Sequence, residues 1–112
     1  MENREIKFRA YETIRNKMFD WDDIAKSFNH WLTCEFSSLM QYTGINDKNG
    51  VEVYDGDILS VPNRIYEKDN KIIKGNSVVY FDYGMFKCNN ISLCTFREFE
   101  VIGNIHENPE LL

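Results

Sequence analysis

Apolar and polar positions alternate across residues 4–11, with Ile6, Phe8 and Ala10 on one side and Lys7 and Arg9 on the other. That period of two predicts a half-buried strand. Residues 13–17 read as a reversal, and Met18-Phe19 as the start of a return strand. From Asp20 to Leu32 the period changes. Trp21, Ile24, Ala25, Phe28, Trp31 and Leu32 recur at helical spacing. Asp20 suits the N-cap, and Asp22 and Asp23 fall in the first turn, where the helix dipole favours them. The spacing predicts a short amphipathic helix.

The segment LMQYTGINDKNGVEVYDGDIL, residues 39–59, returns to strand patterning. Residues 39–45 form a strand, and residues 46–50 a hairpin loop whose Asn49-Gly50 tolerates positive φ. Residues 51–54 return, Asp55-Gly56 reverses the chain again, and a third strand runs over 57–61. Pro62 is expected to end the pairing, because it has no amide proton to donate to a ladder. Residues 63–76 are polar and charged, and predict a loose excursion turning at Gly75-Asn76. Residues 78–81 and 85–88 pair across Asp82-Tyr83-Gly84. Both faces of Val78-Val79-Tyr80-Phe81 are apolar, so the strand is expected to be covered by the core on one side and by something else on the other. A short helical turn is expected within 91–99 and a last strand over 101–106. Asn108-Pro109 reads as a cap followed by proline at the first helical position. Gly44 and Gly103 interrupt strand patterns, which predicts bulges or close backbone approach.

These elements predict a mainly β fold: a small antiparallel, strongly bent sheet or partly open SH3-like barrel with one short inserted helix. An α+β meander with the helix laid on one face is the alternative. A chain of 112 residues is expected to form one domain over its full length. Hydrophobic residues at 43% and charged residues at 28% exclude an intrinsically disordered class. The 14% aromatic content is high and sits on the strand-like segments, which favours sheet packing.

The formal charge of −5 runs against a protein whose main task is wrapping DNA. Two stretches are nonetheless basic. One holds Arg4, Lys7, Arg9, Arg15 and Lys17; the other holds Arg64, Lys68, Lys71 and Lys74. Three cysteines are an odd number with no C-x-x-C pair, so they are expected to be reduced thiols in a cytosolic protein. No apolar run approaches the ~18 residues of a membrane span. The first residues carry no apolar core after their charges, unlike a signal peptide.

Candidate chemistry is sparse. Asp47, Glu52, Asp55 and Asp57 cluster around two turns, where a cation site or acid–base pair competes with plain turn chemistry, and turn chemistry is the stronger reading. His30 and Cys34, with Cys88 and Cys94, would make four zinc ligands, but their spacing is wide for a structural site. His106 reads as a surface histidine. No glycine-rich phosphate loop exists among the six glycines. Tyr42, Tyr54, Tyr80, Phe81 and Tyr83 would make a base-stacking platform if they shared a face; core packing is the simpler account.

REIKFRAY near the start, residues 39–59 in the middle, and FEVIGNIHENPELL at the end resemble the YopX-like family of small phage and prophage proteins. The resemblance implies a mainly β domain and a phage or prophage origin. It implies no assigned activity and supplies no catalytic residues. The expected function is therefore a non-enzymatic accessory protein, acting in the cytoplasm of a bacterial host, that self-associates or docks on a phage or host protein. Nucleic-acid binding in phage replication or regulation is the alternative. The expected interaction surface comprises Val79, Phe81, Tyr83, Arg64, Lys68, Lys71 and Lys74. No cofactor, metal or membrane partner is expected.

Overall fold

A computed structural model describes residues 5–66, 71–89, 91–93 and 98–112. β1 (Phe8–Glu12) pairs antiparallel with β2 (Lys17–Phe19) through the predicted reversal. The helical segment follows, but in pieces: α1 (Trp21–Ile24), a single 3-10 turn (Ala25–Ser27) and α2 (Phe28–Thr33). Asp20 is the N-cap of α1. Its carboxylate accepts from the Asp23 amide while the Asp23 carboxylate accepts from the Asp20 amide, a reciprocal box. Ser27 leaves helical geometry at φ −128°, ψ 34°, which separates the two helical pieces. The segment lays its aromatic residues on the first hairpin. Phe8 packs against Phe28 and Trp21, and Phe19 packs against Trp31. Leu32, read as part of the buried stripe, is exposed.

β3 (Ser37–Asn46) pairs with β1 on one side and β4 (Glu52–Tyr54) on the other, giving a four-stranded sheet of order β2-β1-β3-β4. β5 (Asp57–Tyr66), β6 (Lys71–Asp82), β7 (Met85–Cys88), β8 (Ile91–Ser92) and β9 (Glu100–Asn104) form a second sheet of order β8-β7-β6-β5-β9. Every pairing is antiparallel, and one sheet curls into a half-barrel. The mainly β, strongly bent architecture expected from the pattern is the one found. Among the described residues no helix is long and apolar enough to cross a membrane.

The long β5–β6 arm corrects the reading of residues 63–76 as a loose excursion. Pro62 does not end β5. The register shifts between Val61, opposite Gly75, and Arg64, opposite Ile73, so the proline falls where the ladder is already interrupted. Gly75-Asn76 is likewise no turn, since both sit inside β6. The two strands are joined through 67–70, outside the described residues. Of the expected helical turn within 91–99, residues 94–97 also fall outside them, while Ile91–Ser92 form β8. The interrupting glycines behave as expected. Gly44 lies within the register shift of the β3–β4 pair. At Gly103 a side chain would meet Asn108 Oδ1 at 2.6 Å, an approach only glycine permits.

β4 divides the interior. Val53 enters an apolar cluster with Leu59, Val79, Cys88, Leu93 and Phe99. Its neighbour Tyr54 points the other way, to Tyr42 and Met40. Cys88 is fully buried, and burial pushes its thiol up to about 11, against a smaller opposing effect from a Ser77 hydrogen bond.

Candidate functional site

The two turns that carry the clustered carboxylates send them to four separate tasks. Asp47 stays at the β3–β4 loop and accepts amide protons from Asn49, Val51 and Val101, tying the loop to β9. Burial works to raise its pKa, but these three donors outweigh it and hold the carboxyl below its ordinary range. Glu52 pairs with Lys7, which also meets Glu5. Asp55 accepts from the Gln41 amide, and the Asp55 amide donates back to the Gln41 carbonyl.

Asp57 is 1% exposed and forms the seam between the two sheets. Its Oδ1 accepts from Arg9 Nη2 of β1, and its Oδ2 accepts from the Tyr54 amide. Burial pushes the Asp57 carboxyl above its ordinary range; Arg9 and the Tyr54 amide oppose this without cancelling it. The Arg9 guanidinium lies 4.5 Å from the Tyr54 ring centroid, a cation–π contact. His106 stacks on Tyr11 at 4.8 Å, and burial, with Arg9 nearby, lowers its pKa. His106 is thus a partly buried stacking partner, not the plain surface histidine expected.

Among the described residues no group of three His, Cys, Asp or Glu side chains is arranged to hold a metal ion. His30 and Cys34 both lie around α2, while Cys88 is sealed in the apolar cluster; Cys94 lies outside the described residues. The tyrosines do not share a face. Tyr42 and Tyr54 are buried against each other at 5.6 Å, and Phe81 and Tyr83 stand in solvent. Three of the N-terminal cations are paired with carboxylates: Lys7 with Glu5 and Glu52, Arg9 with Asp57, Arg15 with Glu12. Lys17 lies over the Phe19 ring, and Arg4 lies outside the described residues.

An exposed apolar surface lies on the β6–β7 hairpin. Its turn is the pair Tyr83-Gly84, with φ of 50° and 75°. Two consecutive positive φ values make the tight turn whose twist matches the strands, and asparagine or glycine normally fills the first position. Tyrosine there is strained, and it is 86% exposed. Phe81, 59% exposed, and Met85 flank it. Phe81 packs edge-on against Phe86 at 5.1 Å.

A shallow groove of about 420 Å³ opens beside this hairpin. It runs between β3 at Leu39 and β6 at Phe81, with Asp55, Gly56, Ile105 and His106 among its lining. Gly56 closes it: its amide donates to the Val79 carbonyl and its carbonyl accepts from the Ile105 amide. A side chain on Gly56 would meet Met40 Cε at 2.9 Å, and φ there is +84°.

The sequence pattern of the YopX family, described as YopX protein, matches residues 7–112. The chain belongs to the YopX family. Among solved structures it is similar to protein EF1440 from Enterococcus faecalis, at 28% identity over 98% of this chain and 99% of that one, with a TM-score of 0.69. No curated protein matches.

In this YopX-family chain the expected surface residues separate. Phe81 and Tyr83 are exposed together on the hairpin. Val79 is 1% exposed and belongs to the interior, because its side of β6 packs on Leu59 and Phe99. Arg64, Lys71 and Lys74 lie on the β5–β6 arm, with Arg64 opposite Ile73 and Lys71 opposite Tyr66. Lys68 lies outside the described residues. The Arg9–Asp57 seam was missed by sequence reasoning, since its partners are 48 residues apart. The one available signal was a buried-strand arginine with a spare aspartate elsewhere, which does not specify the pair.

Proposed function

We propose that this YopX-family chain is a non-enzymatic accessory protein of phage or prophage origin. It self-associates or docks on a protein partner through the β6–β7 hairpin. The observation that carries the reading is Tyr83, a large aromatic held in a strained backbone conformation at the most exposed point of a hairpin. At 86% exposure it adds nothing to the interior, so a strained aromatic at this point argues for contact with something else. Phe81 and Met85 extend the apolar surface around it. Aromatic and methionine side chains are the types enriched at the centres of protein interfaces. The free thiols Cys34 and Cys88 support a reducing, cytoplasmic setting. The phage or prophage origin is supported by the family resemblance alone.

Light scattering across a wide concentration range tests the reading, together with a photoreactive residue at position 83 in cells. Association that Tyr83→Ser and Phe81→Ser weaken, or a crosslink to one defined protein, is the expected result. A chain that stays monomeric throughout and yields no crosslink removes it.

Nucleic-acid binding remains the second reading, supported by the basic residues that the backbone gathers on the β5–β6 arm. A single-stranded oligonucleotide at low salt tests it. Binding that Lys71→Glu and Lys74→Glu weaken would favour it over the hairpin surface.

A further inference from the structure

Among the described residues, the strands beside the groove have an amide and a carbonyl to spare at Leu39 and at Phe81. The turn at Tyr83-Gly84 makes Asp82 and Met85 the hydrogen-bonded pair that closes the hairpin. In an antiparallel ladder such pairs alternate with non-bonded ones. Phe81, opposite Phe86, is therefore a non-bonded position whose N–H and C=O point away from β7. Val79, two residues back, points the same way and spends its carbonyl on Gly56. β5 pairs with β6 only as far as Val78, so it does not reach Phe81.

The facing wall follows the same logic. The Tyr42 amide donates to the Lys7 carbonyl, which makes Met40, opposite Arg9, a bonded position on the β1 side. Leu39 then points its N–H and C=O away from β1, on the side where Gln41 engages Asp55. β4 meets β3 only at Tyr42 and Asn46, so it does not cover Leu39. Among the described residues the groove thus has one uncommitted strand residue on each side, Leu39 on β3 and Phe81 on β6. They are flanked by Gln41 and Val79, whose groups are already spent on Asp55 and Gly56. Strand addition uses such open edge positions.

Charge indicates what fits. The chain carries −5 overall. Asp55, in the groove lining, is held by the Gln41 amide and has no ion-pair partner among the described residues, since the Arg9 guanidinium is committed to Asp57. Burial raises its pKa, against smaller opposing effects from the Gln41 amide and the nearby Arg9 charge. The exposed walls are apolar, with Phe81 on one and Ile105 at the closed end.

We propose that the groove receives an extended segment of a partner protein as an added strand, hydrogen-bonded to Leu39 on one side and Phe81 on the other, with a lysine or arginine of that segment set against Asp55. This deepens the reading of the chain as a partner-binding module and rests on it. The alternation of strand side chains lets every second residue of the segment meet the groove floor while the others face solvent.

The probe is an eight-residue peptide of alternating lysine and valine, with an alternating glutamate–valine peptide as control. Binding is followed by fluorescence anisotropy and by amide hydrogen exchange. The lysine peptide is expected to bind and to slow exchange at the Leu39 and Phe81 amides. Asp55→Asn is expected to weaken it about tenfold, as loss of a partly desolvated charge pair does. N-methylation along either edge of the peptide is expected to abolish binding, because both of its edges are used. Equal binding of the two peptides, indifference to Asp55→Asn, tolerance of N-methylation on one edge, or no binding at millimolar peptide each overturns the proposal. Protection of Leu39 and Phe81 that rises with protein concentration in the absence of peptide also overturns it, by giving the groove to a second copy. Association that depends on Tyr83 but leaves Leu39 and Phe81 unprotected sinks the groove alone and leaves the hairpin reading standing.

Discussion

Val53 and Tyr54 are neighbours on one short strand, yet they enter interiors built on different principles. Val53 belongs to a cluster of apolar side chains with Leu59, Val79, Cys88, Leu93 and Phe99. Tyr54 lies under the Arg9 guanidinium, and its amide is bonded to Asp57. The first interior is held by removal of apolar surface from water, which is non-directional and forgives a change of shape at constant volume. The second is held by a buried ion pair, which forgives nothing: once one partner is gone, the other is left charged without solvent. The apolar cluster makes the second sheet cohere. The ion pair fixes how β1 and β5, and so the two sheets, are placed against each other.

That contrast can be broken by substitution. The largest effect is expected at the seam, where Asp57→Ala strands Arg9 and the Tyr54 amide at a cost of about 3–5 kcal/mol; urea denaturation measures it. Leu59→Ala in the apolar cluster should cost about 2–5 kcal/mol through lost burial and the cavity left behind. The sharper comparison uses gentle changes. Leu59→Met should cost less than about 1.5 kcal/mol, whereas Asp57→Asn, equally close in size, should cost clearly more in the same melts. If the two gentle substitutions prove alike, the division of labour is wrong.

The next effect is at Asp47, whose three accepted hydrogen bonds make Asp47→Ala worth about 1–3 kcal/mol for the donors it strands. Its folded pKa lies below the unfolded value of about 3.9. Its contribution is therefore fully present above the unfolded pKa and is lost as pH falls through the folded value. Urea midpoints taken down through pH 4 should fall more steeply in the wild type than in Asp47→Asn. The smallest effect lies outside both interiors. Tyr83→Asn relieves the strained turn and should raise stability by about 0.5 kcal/mol, while weakening any association that runs through the hairpin. A loss of stability there would mean that the tyrosine serves the fold.

Much of this architecture was legible because local rules were enough. Alternation placed β1, Asp20 announced the helical cap, and Tyr83-Gly84 and Asn49-Gly50 marked their hairpins. Gly103 signalled a close approach that proved to be the Asn108 side chain. The β5–β6 arm was misread because its residues are polar and contain a proline, which mimics a loop. Only the partner strand shows that a register shift absorbs Pro62. The candidate site was less legible still. Asp57 looks like any turn aspartate until Arg9 of β1 is known to meet it, and Lys7, Arg9 and Arg15 look like a basic face until their carboxylates are found. The groove belongs to no single segment; it exists because β4 and β5 both stop short of Leu39 and Phe81.

The sealed thiol of Cys88 makes the chain its own reporter. With no surface in contact with solvent and its ionisation displaced to about 11, that sulfur cannot be alkylated in the native molecule at neutral pH. Each labelling event at this position therefore records one opening of the apolar cluster, so mass tagging reads out how often the second sheet comes apart under conditions where no denaturant is present.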